Sequence, residues 1–502
     1  MAVPTSPEWR FVGRQQELQQ LREALGRGRW FFAKITGRRR IGKTTLIKEA
    51  IKGAERPVLY VQLPDSGDTG ILSVVGDAME TFKVPEDRFP RPRSLSGLAK
   101  TIEALVREGY LVVLDEFRYF SRKPVFEFCS YLQAAVDRLG DDAAEVPGGL
   151  VVLGSIHTEM VALLEDRTVP LYNRVTDSID LPHLDIAGVL EILNRYSAWS
   201  PESLLSLWAL FEGVPKFYRD AFEQGVIDAD RKTLLRRLFF ESSSPLKSEA
   251  ETWFLSELRG KSDMILKFLA RRPGLRHGEL VEAISRTAES QSEKVSSYLK
   301  TLVDQYRLVA RKQPIFSGPK GRQGRYDIVE NFLQSWLGAL ASQVAARDFR
   351  PPEELVAEAD ERMASVEGFA LERLAATLYE ERSRKGLGDF PLSERIEGYW
   401  DRTGTEIDLV VVSKPLRTIR FASCKRNARK LLLNINKHSE HVERYLEQKP
   451  LADGWRAELV GIAPRLDDEQ RAVLERSDFV AEDLRDLCTG LLPVRQPDLP
   501  SG

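Results

Sequence analysis

The residues Gly37-Arg-Arg-Arg-Ile-Gly-Lys43-Thr44 match the pattern G-x-x-x-x-G-K-T, which is built to hold a phosphate chain. Gly37 and Gly42 let the backbone curl until successive N–H groups face one anion. A helix starting near Gly42 adds the positive end of its dipole. Lys43 then reaches the β- and γ-phosphates, and the Thr44 hydroxyl holds Mg²⁺. Arg38, Arg39, Arg40, Ile41 and Thr45 complete the cradle. Such a loop must sit between a buried strand and a helix. Trp30 to Ile35 is bulky and apolar enough for the strand, and Thr44 to Ile51 has helical apolar spacing at Leu46, Ile47, Ala50 and Ile51.

Catalysis on a bound nucleotide also needs carboxylates. Tyr110 to Leu114 is a wholly apolar strand that ends in Asp115 and Glu116. A parallel strand buried on both faces has this composition, and ligands of open α/β sheets lie at the strands' carboxyl ends. Asp115 is therefore expected to hold Mg²⁺ through water, and Glu116 to polarise the attacking water. Pro57 to Leu63 and Gly149 to Ser155 are further strands; Ser155, at a strand end, is placed to touch the γ-phosphate. Arg174 precedes a short strand, Asp177 to Leu181. It either stabilises phosphoryl charge, in cis or across a subunit interface, or forms a surface salt bridge. Residues 66–98 read as mixed, with turn formers around Pro85 to Pro92, followed by a helix from Leu98 to Glu108.

At 502 residues and ~100–200 residues per domain, the chain suggests about three domains. A formal net charge of −2 means that nucleic-acid contact must use a local basic patch. Cys129, Cys424 and Cys488 are far apart and lack metal-type spacing. The N-terminus has no signal pattern, and no stretch approaches the ~20 apolar residues of a membrane helix. The chain therefore reads as cytoplasmic.

The element Phe11-Val-Gly13-Arg14, followed by an amphipathic helix from Gln15 to Leu25, is how many AAA+-related ATPases begin; there Gly13 and Arg14 pack near the adenine. FVGR, GRRRIGKTT, LVVLDEF, VVLGS and LYNR together resemble the archaeal-type ATPase family, a branch of the AAA+/STAND P-loop proteins. The resemblance implies an ATP- and Mg²⁺-binding α/β core over 8–183 and a helical lid over 184–250. Glu212-Gly-Val-Pro-Lys216 stands at the lid's turn, but Gly213-Val departs from the family's double glycine, and Lys216 is given no nucleotide role.

Three helical segments, Ser262 to Ala270, Gly278 to Ile284 and Ser292 to Tyr306, precede two short strands, Leu308 to Arg311 and Tyr326 to Ile328. Three helices and a hairpin make a winged helix-turn-helix, here over 255–345, and the same family carries one after the ATPase. Lys320, Arg322 and Arg325 on the wing are candidate phosphate contacts. Winged helices also serve as interdomain modules.

Residues 355–490 resemble the restriction-endonuclease-like domain attached to archaeal-type ATPases. Its pattern is a helix Glu, E-I-D at a strand end, and E-x-K on the next strand. Glu372, Asp408 and Lys425 match residue by residue, whereas Ser423 stands where the E-x-K glutamate belongs. The pattern implies a second Mg²⁺ or Mn²⁺, since clustered carboxylates hold the ion and Lys orients water. With Ser423, three readings stay open: cleavage with weakened metal affinity, DNA binding without cutting, or a structural relic. From Val410 to Ser439 there is no Asp or Glu. Lys425, Arg426, Arg429 and Lys430 in this stretch are candidate DNA contacts.

The expectation is an α/β protein with a P-loop parallel-sheet core, helical lid, winged helix and nuclease-like domain. It hydrolyses ATP and couples nucleotide state to DNA, bound non-specifically or by structure. The alternative is a STAND-type signalling or defence scaffold, a homo-oligomer whose assembly is gated by ATP without DNA.

Overall fold

The computed structural model describes residues 8–154, 157–249, 263–286, 294–318, 321 and 323–491. The chain forms two compact units, Trp9–His183 and a second from Leu184 onward that also includes Glu8.

In the first unit α1 (Gln15–Leu25) precedes β1 (Phe31–Gly37), α2 (Lys43–Ile51) and β2 (Val58–Gln62). Next come α3 (Asp68–Thr81), α4 (Leu95–Arg107), β3 (Leu111–Asp115), a 3₁₀ turn at Phe117–Ser121 and α5 (Glu127–Asp141). β4 (Gly149–Gly154), α6 (His157–Leu164) and β5 (Asp177–Leu181) complete it. The five strands run in the order β2-β3-β4-β1-β5, all parallel. β1, β3 and β4 are buried along almost their whole length, which explains their continuous apolar runs. The segment read as mixed contains α3, with Ile71, Val75 and Met79 on its buried face. α5 adds a helix that the sequence reading did not assign, burying Phe128, Leu132, Val136 and Leu139.

The second unit opens with the helices α7 (Ile186–Tyr196), α8 (Pro201–Phe211), α9 (Pro215–Glu223) and α10 (Arg231–Leu235). α11 (Asp263–Arg271), β6 (Leu275–Arg276), α12 (His277–Ser285), α13 (Val295–Lys300), β7 (Val309–Lys312) and β8 (Arg325–Ile328) follow. The three strands form an antiparallel sheet ordered β6-β8-β7. After α14 (Asn331–Ser335) and α15 (Ala341–Ala345), the 33-residue helix α16 (Pro352–Arg384) leads into a second sheet.

That sheet contains β9 (Glu397–Trp400), β10 (Glu406–Ser413) and β11 (Thr418–Cys424), then α17 (Ala428–Leu433), α18 (Ile435–Gln448) and β12 (Arg456–Ala463). α19 (Asp468–Arg476), β13 (Phe479–Asp483) and α20 (Leu484–Cys488) close the chain. The order is β13-β12-β11-β10-β9. β9, β10 and β11 pair antiparallel, while β11, β12 and β13 pair parallel. β13 and its flanking helices follow β12. Among the described residues no helix is long and apolar enough to cross a membrane.

Candidate functional site

Gly37 has φ +149° and Gly42 φ +99°, in the region open to glycine. A Cβ on Gly37 would also lie 2.8 Å from the Leu181 carbonyl oxygen, so the loop cannot take a side chain there. α2 begins at Lys43 directly behind this curl. Lys43 is 7% exposed, and its Nζ donates to the carbonyls of Gly37 and Arg38, both at 2.9 Å. Burial lowers the Lys43 ammonium to about 8 against the pull of the Glu116 and Asp115 carboxylates. The ammonium is thus held at the loop by carbonyl oxygens, a weak substitute for an anion.

Thr44 Oγ1 donates to Asp115 Oδ2 at 2.7 Å. The loop hydroxyl and the strand-end carboxylate, 71 residues apart in sequence, therefore meet at the carboxyl edge of the sheet. The Tyr60 phenol, on β2 beside β3, donates to the same carboxylate oxygen at 2.6 Å. Burial, reinforced by Asp115, pushes the Tyr60 hydroxyl up, so it remains a donor. Sequence reasoning missed Tyr60: its partner is set by the β2–β3 register, and a tyrosine in an apolar strand gives no local signal. A hydroxyl and a carboxylate at this spacing form an oxygen donor set suited to a hard cation such as Mg²⁺.

Glu116 follows Asp115 with φ +57°. Its Oε2 accepts from Arg118 Nε at 2.6 Å. Arg118 also bonds Glu159 on α6 at 3.2 Å and the Tyr119 hydroxyl at 3.0 Å. Arg118 is the second residue not anticipated, although an arginine two positions after the acidic pair was visible.

Gly13 and Arg14 both take positive φ, 67° and 63°, and turn the chain into α1. The Arg14 guanidinium donates to the carbonyls of Ile41 and Pro182 and pairs with Glu17 at 3.0 Å, fastening this turn to the phosphate loop and to the end of β5. Ile41 is buried, Arg38 and Arg40 are half-buried, and Arg39 and Thr45 are exposed. Ser155 lies outside the described residues.

Arg174 does not join this site within its own chain. It precedes β5, whose first residue pairs with Ala33 near the start of β1, whereas the phosphate loop leaves the opposite end of β1. Its guanidinium forms a two-point ion pair with Asp137 at 2.7 and 3.0 Å, the surface salt bridge that was the other reading.

In the second unit Asp408 accepts from Lys425 Nζ at 2.6 Å and from the Cys424 N–H at 2.8 Å. Burial alone would lower Lys425, but Asp408 outweighs it and holds the ammonium above its usual range. Burial, with Asp408 next in weight, raises Glu372 to about 8, so without a cation it is largely protonated near neutrality. Ser423 is buried and lies 3.5 Å from Asn434 Nδ2. Glu406 pairs with Arg325 at 2.5 Å and does not replace the absent carboxylate. Among the described residues Glu372 and Asp408 gather no third acid, histidine or cysteine within ligand range.

The proposed DNA contacts divide. Arg426 is turned inward onto Glu367, a carboxylate 1% exposed. Arg325 is held by Glu406, and Lys425 by Asp408. Lys320 and Arg322 lie outside the described residues. Arg429 and Lys430 on α17 are exposed.

No family model matches the sequence. An uncharacterized protein of Methanocaldococcus jannaschii is 24% identical over 460 residues, covering 86% of this chain and 92% of its own. Among solved structures, a Walker-type ATPase of Pyrococcus abyssi aligns with TM-score 0.50 and 17% identity, over 67% of this chain and 98% of its own. The ORC2 protein of Aeropyrum pernix aligns with TM-score 0.45 and 17% identity, over 71% and 97%. The likeness to the Pyrococcus protein is one of fold: a five-stranded parallel sheet with a phosphate loop at the end of β1.

Proposed function

We propose that this protein is an ATP-hydrolysing switch whose second unit binds DNA without cutting it. The observation that carries the first half is the 2.7 Å contact between Thr44 and Asp115 beside the buried Lys43. In this reading the loop amides and Lys43 bind the β- and γ-phosphates, and Thr44 and Asp115 hold Mg²⁺. Mg²⁺ neutralises the charge that builds on the phosphates. Glu116 accepts the proton of the attacking water. Its Oε2 accepts from Arg118 Nε, and the carboxylate's other oxygen can take that proton. Lys43→Ala is expected to abolish turnover in a phosphate-release assay, and full activity in that variant sinks the assignment.

The DNA half rests on charge. Arg429, Lys430 and Lys437 are exposed within a stretch free of acids, as a phosphate backbone requires. The winged helix, with its three-stranded sheet, and the nuclease-like domain supply the surrounding scaffold. Ser423 in place of the E-x-K glutamate favours binding over cleavage, since a hydroxyl is a poorer Mg²⁺ ligand than a carboxylate. Anisotropy of a labelled duplex should show weak, salt-sensitive binding that Arg429→Ala and Lys430→Ala reduce together.

One observation favours the scaffold reading. Arg325, Lys425 and Arg426 all spend their charge on carboxylates of the same chain. Growth in mass on adding ATP without DNA, measured by light scattering, would select that reading. DNA-stimulated hydrolysis would reject it.

A further inference from the structure

The hairpin formed by β7 and β8 does not stand free. Past β7 the Ile315 N–H donates to the Gly398 carbonyl at 2.9 Å, adding one rung to the edge strand β9. Ile315 is buried in the apolar cluster that includes Tyr399, Ile407 and Phe421. The Trp400 indole N–H donates to the Gln323 carbonyl at 2.8 Å. At the base of the wing Arg325 lies over the Trp400 ring at 4.6 Å and pairs with Glu406 at 2.5 Å. Wing and sheet together wall a cleft of about 800 Å³, with Glu372 and Asp408 among its lining.

An arginine with one face on an indole and one guanidinium nitrogen on a carboxylate has less left for a phosphate. Glu406, 55% exposed at its side chain, also repels an approaching backbone. We propose that the docked wing is a masked state of the nucleic-acid surface. Glu406 and Trp400 sequester Arg325, and a DNA phosphate competes with Glu406 for the same guanidinium, so DNA capture and release of the wing from β9 are one event. This deepens the DNA reading above and rests on it. Because the edge of β9 is occupied by Ile315, release also uncovers one strand edge and opens the cleft.

The test measures affinity and salt dependence for a fluorescein-labelled duplex with the full chain, alongside hydrogen exchange at the Ile315 amide. Glu406→Gln removes the competitor. It is expected to tighten binding by about 5-fold and to steepen the salt slope by about one unit, the increment of one extra phosphate contact. Trp400→Phe changes no charge but removes the bond to Gln323; it should shift affinity the same way and speed exchange at Ile315. Glu447→Gln is the charge control. Glu447 is exposed on α18, and its variant should change affinity less than ~2-fold. Adding Arg325→Ala to Glu406→Gln should cancel the gain.

Duplex binding that needs Arg429 and Lys430 but ignores Glu406→Gln and Trp400→Phe would overturn the masking and leave the DNA reading standing. Absence of duplex binding in the wild type and in every variant, including Glu406→Gln, would overturn both.

Discussion

Lys43 makes the sharpest prediction, because one buried group sets two opposite pH trends. Its ammonium sits at about 8, against an ordinary lysine value of ~10.4. ATP binding needs the charged form. As pH rises through 8 the free protein loses that proton, and the apparent dissociation constant grows with the neutral fraction. Between pH 7.5 and 9 the expected weakening is about 8-fold. The folding trend runs the other way. Between pH 8 and the unfolded lysine value the unfolded chain binds more protons than the folded one, so stability rises with pH. The gain attributable to Lys43 is roughly 1.5 kcal/mol between pH 8 and 9.5. Both trends are read as differences from Lys43→Ala, by calorimetric titration of a non-hydrolysable ATP analogue and by urea unfolding of the ATP-free protein. Lys43→Arg keeps its charge throughout and should flatten the binding trend. An ATP affinity that is flat from pH 7.5 to 9 in the wild type would refute the buried, carbonyl-held ammonium.

Three further outcomes follow from named contacts. Tyr60→Phe removes a hydrogen bond to a carboxylate, worth ~1.5–3 kcal/mol; the first unit should unfold earlier in urea by an amount toward the lower end, and the Mg²⁺ concentration needed for half-maximal turnover should rise. Glu367→Ala strips a buried carboxylate from Arg231, Arg426 and Ser206. Breaking a buried pair costs ~3–5 kcal/mol, and because Arg231 keeps Asp360 at 2.6 Å the expected loss is about 3 kcal/mol by urea denaturation. Finally, single-stranded, duplex and branched DNA should survive incubation with the protein in Mg²⁺ or Mn²⁺, with or without ATP; cleavage that Asp408→Ala abolishes would show a working metal centre despite Ser423.

What the sequence disclosed was chemistry written locally. The phosphate loop needs two glycines, a lysine and a threonine at fixed spacing, and Asp115 ends an apolar strand; both are visible without knowing any contact. α5 was legible too, since Phe128, Leu132, Val136 and Leu139 recur at helical spacing, but no motif drew attention to it. Contacts between distant segments were not legible. Arg325 and Glu406 are 81 residues apart, and Arg426 and Glu367 59 apart. Within the acid-free run, chain position alone could not show that Arg426 pairs with the buried Glu367 while Arg429 and Lys430 are exposed. For Arg174 the missing information was the β1–β5 register, which sets it at the strand's amino end, where within its own chain it pairs with Asp137.

The contacts of α16 decide which parts of the second unit can move separately. Glu381, fully buried, accepts from the Ile186 and Ala187 N–H groups at 2.6 and 3.1 Å, satisfying the open amides that begin α7. One end of the same helix holds Tyr379 against Glu482 of β13. Arg373 donates to the Ile328 carbonyl at 2.5 Å, gripping the end of β8. Glu367 ties α10 and the segment after β11 together through Arg231 and Arg426. Each of these bonds uses a charge or hydroxyl whose partner is partly or wholly buried, so each resists being broken singly. α7 cannot move far from α16 without exposing amides and stranding Glu381. A shift of α7 that keeps its cap must therefore carry α16, and with it the end of β8 and the sheet edge against which the wing is docked. Among these contacts the wing's hold on β9 is the most exposed, since Glu406 is open to solvent. α7 and α16 are thus tied through the buried Glu381, whereas the Arg325–Glu406 pair has a solvent-exposed partner.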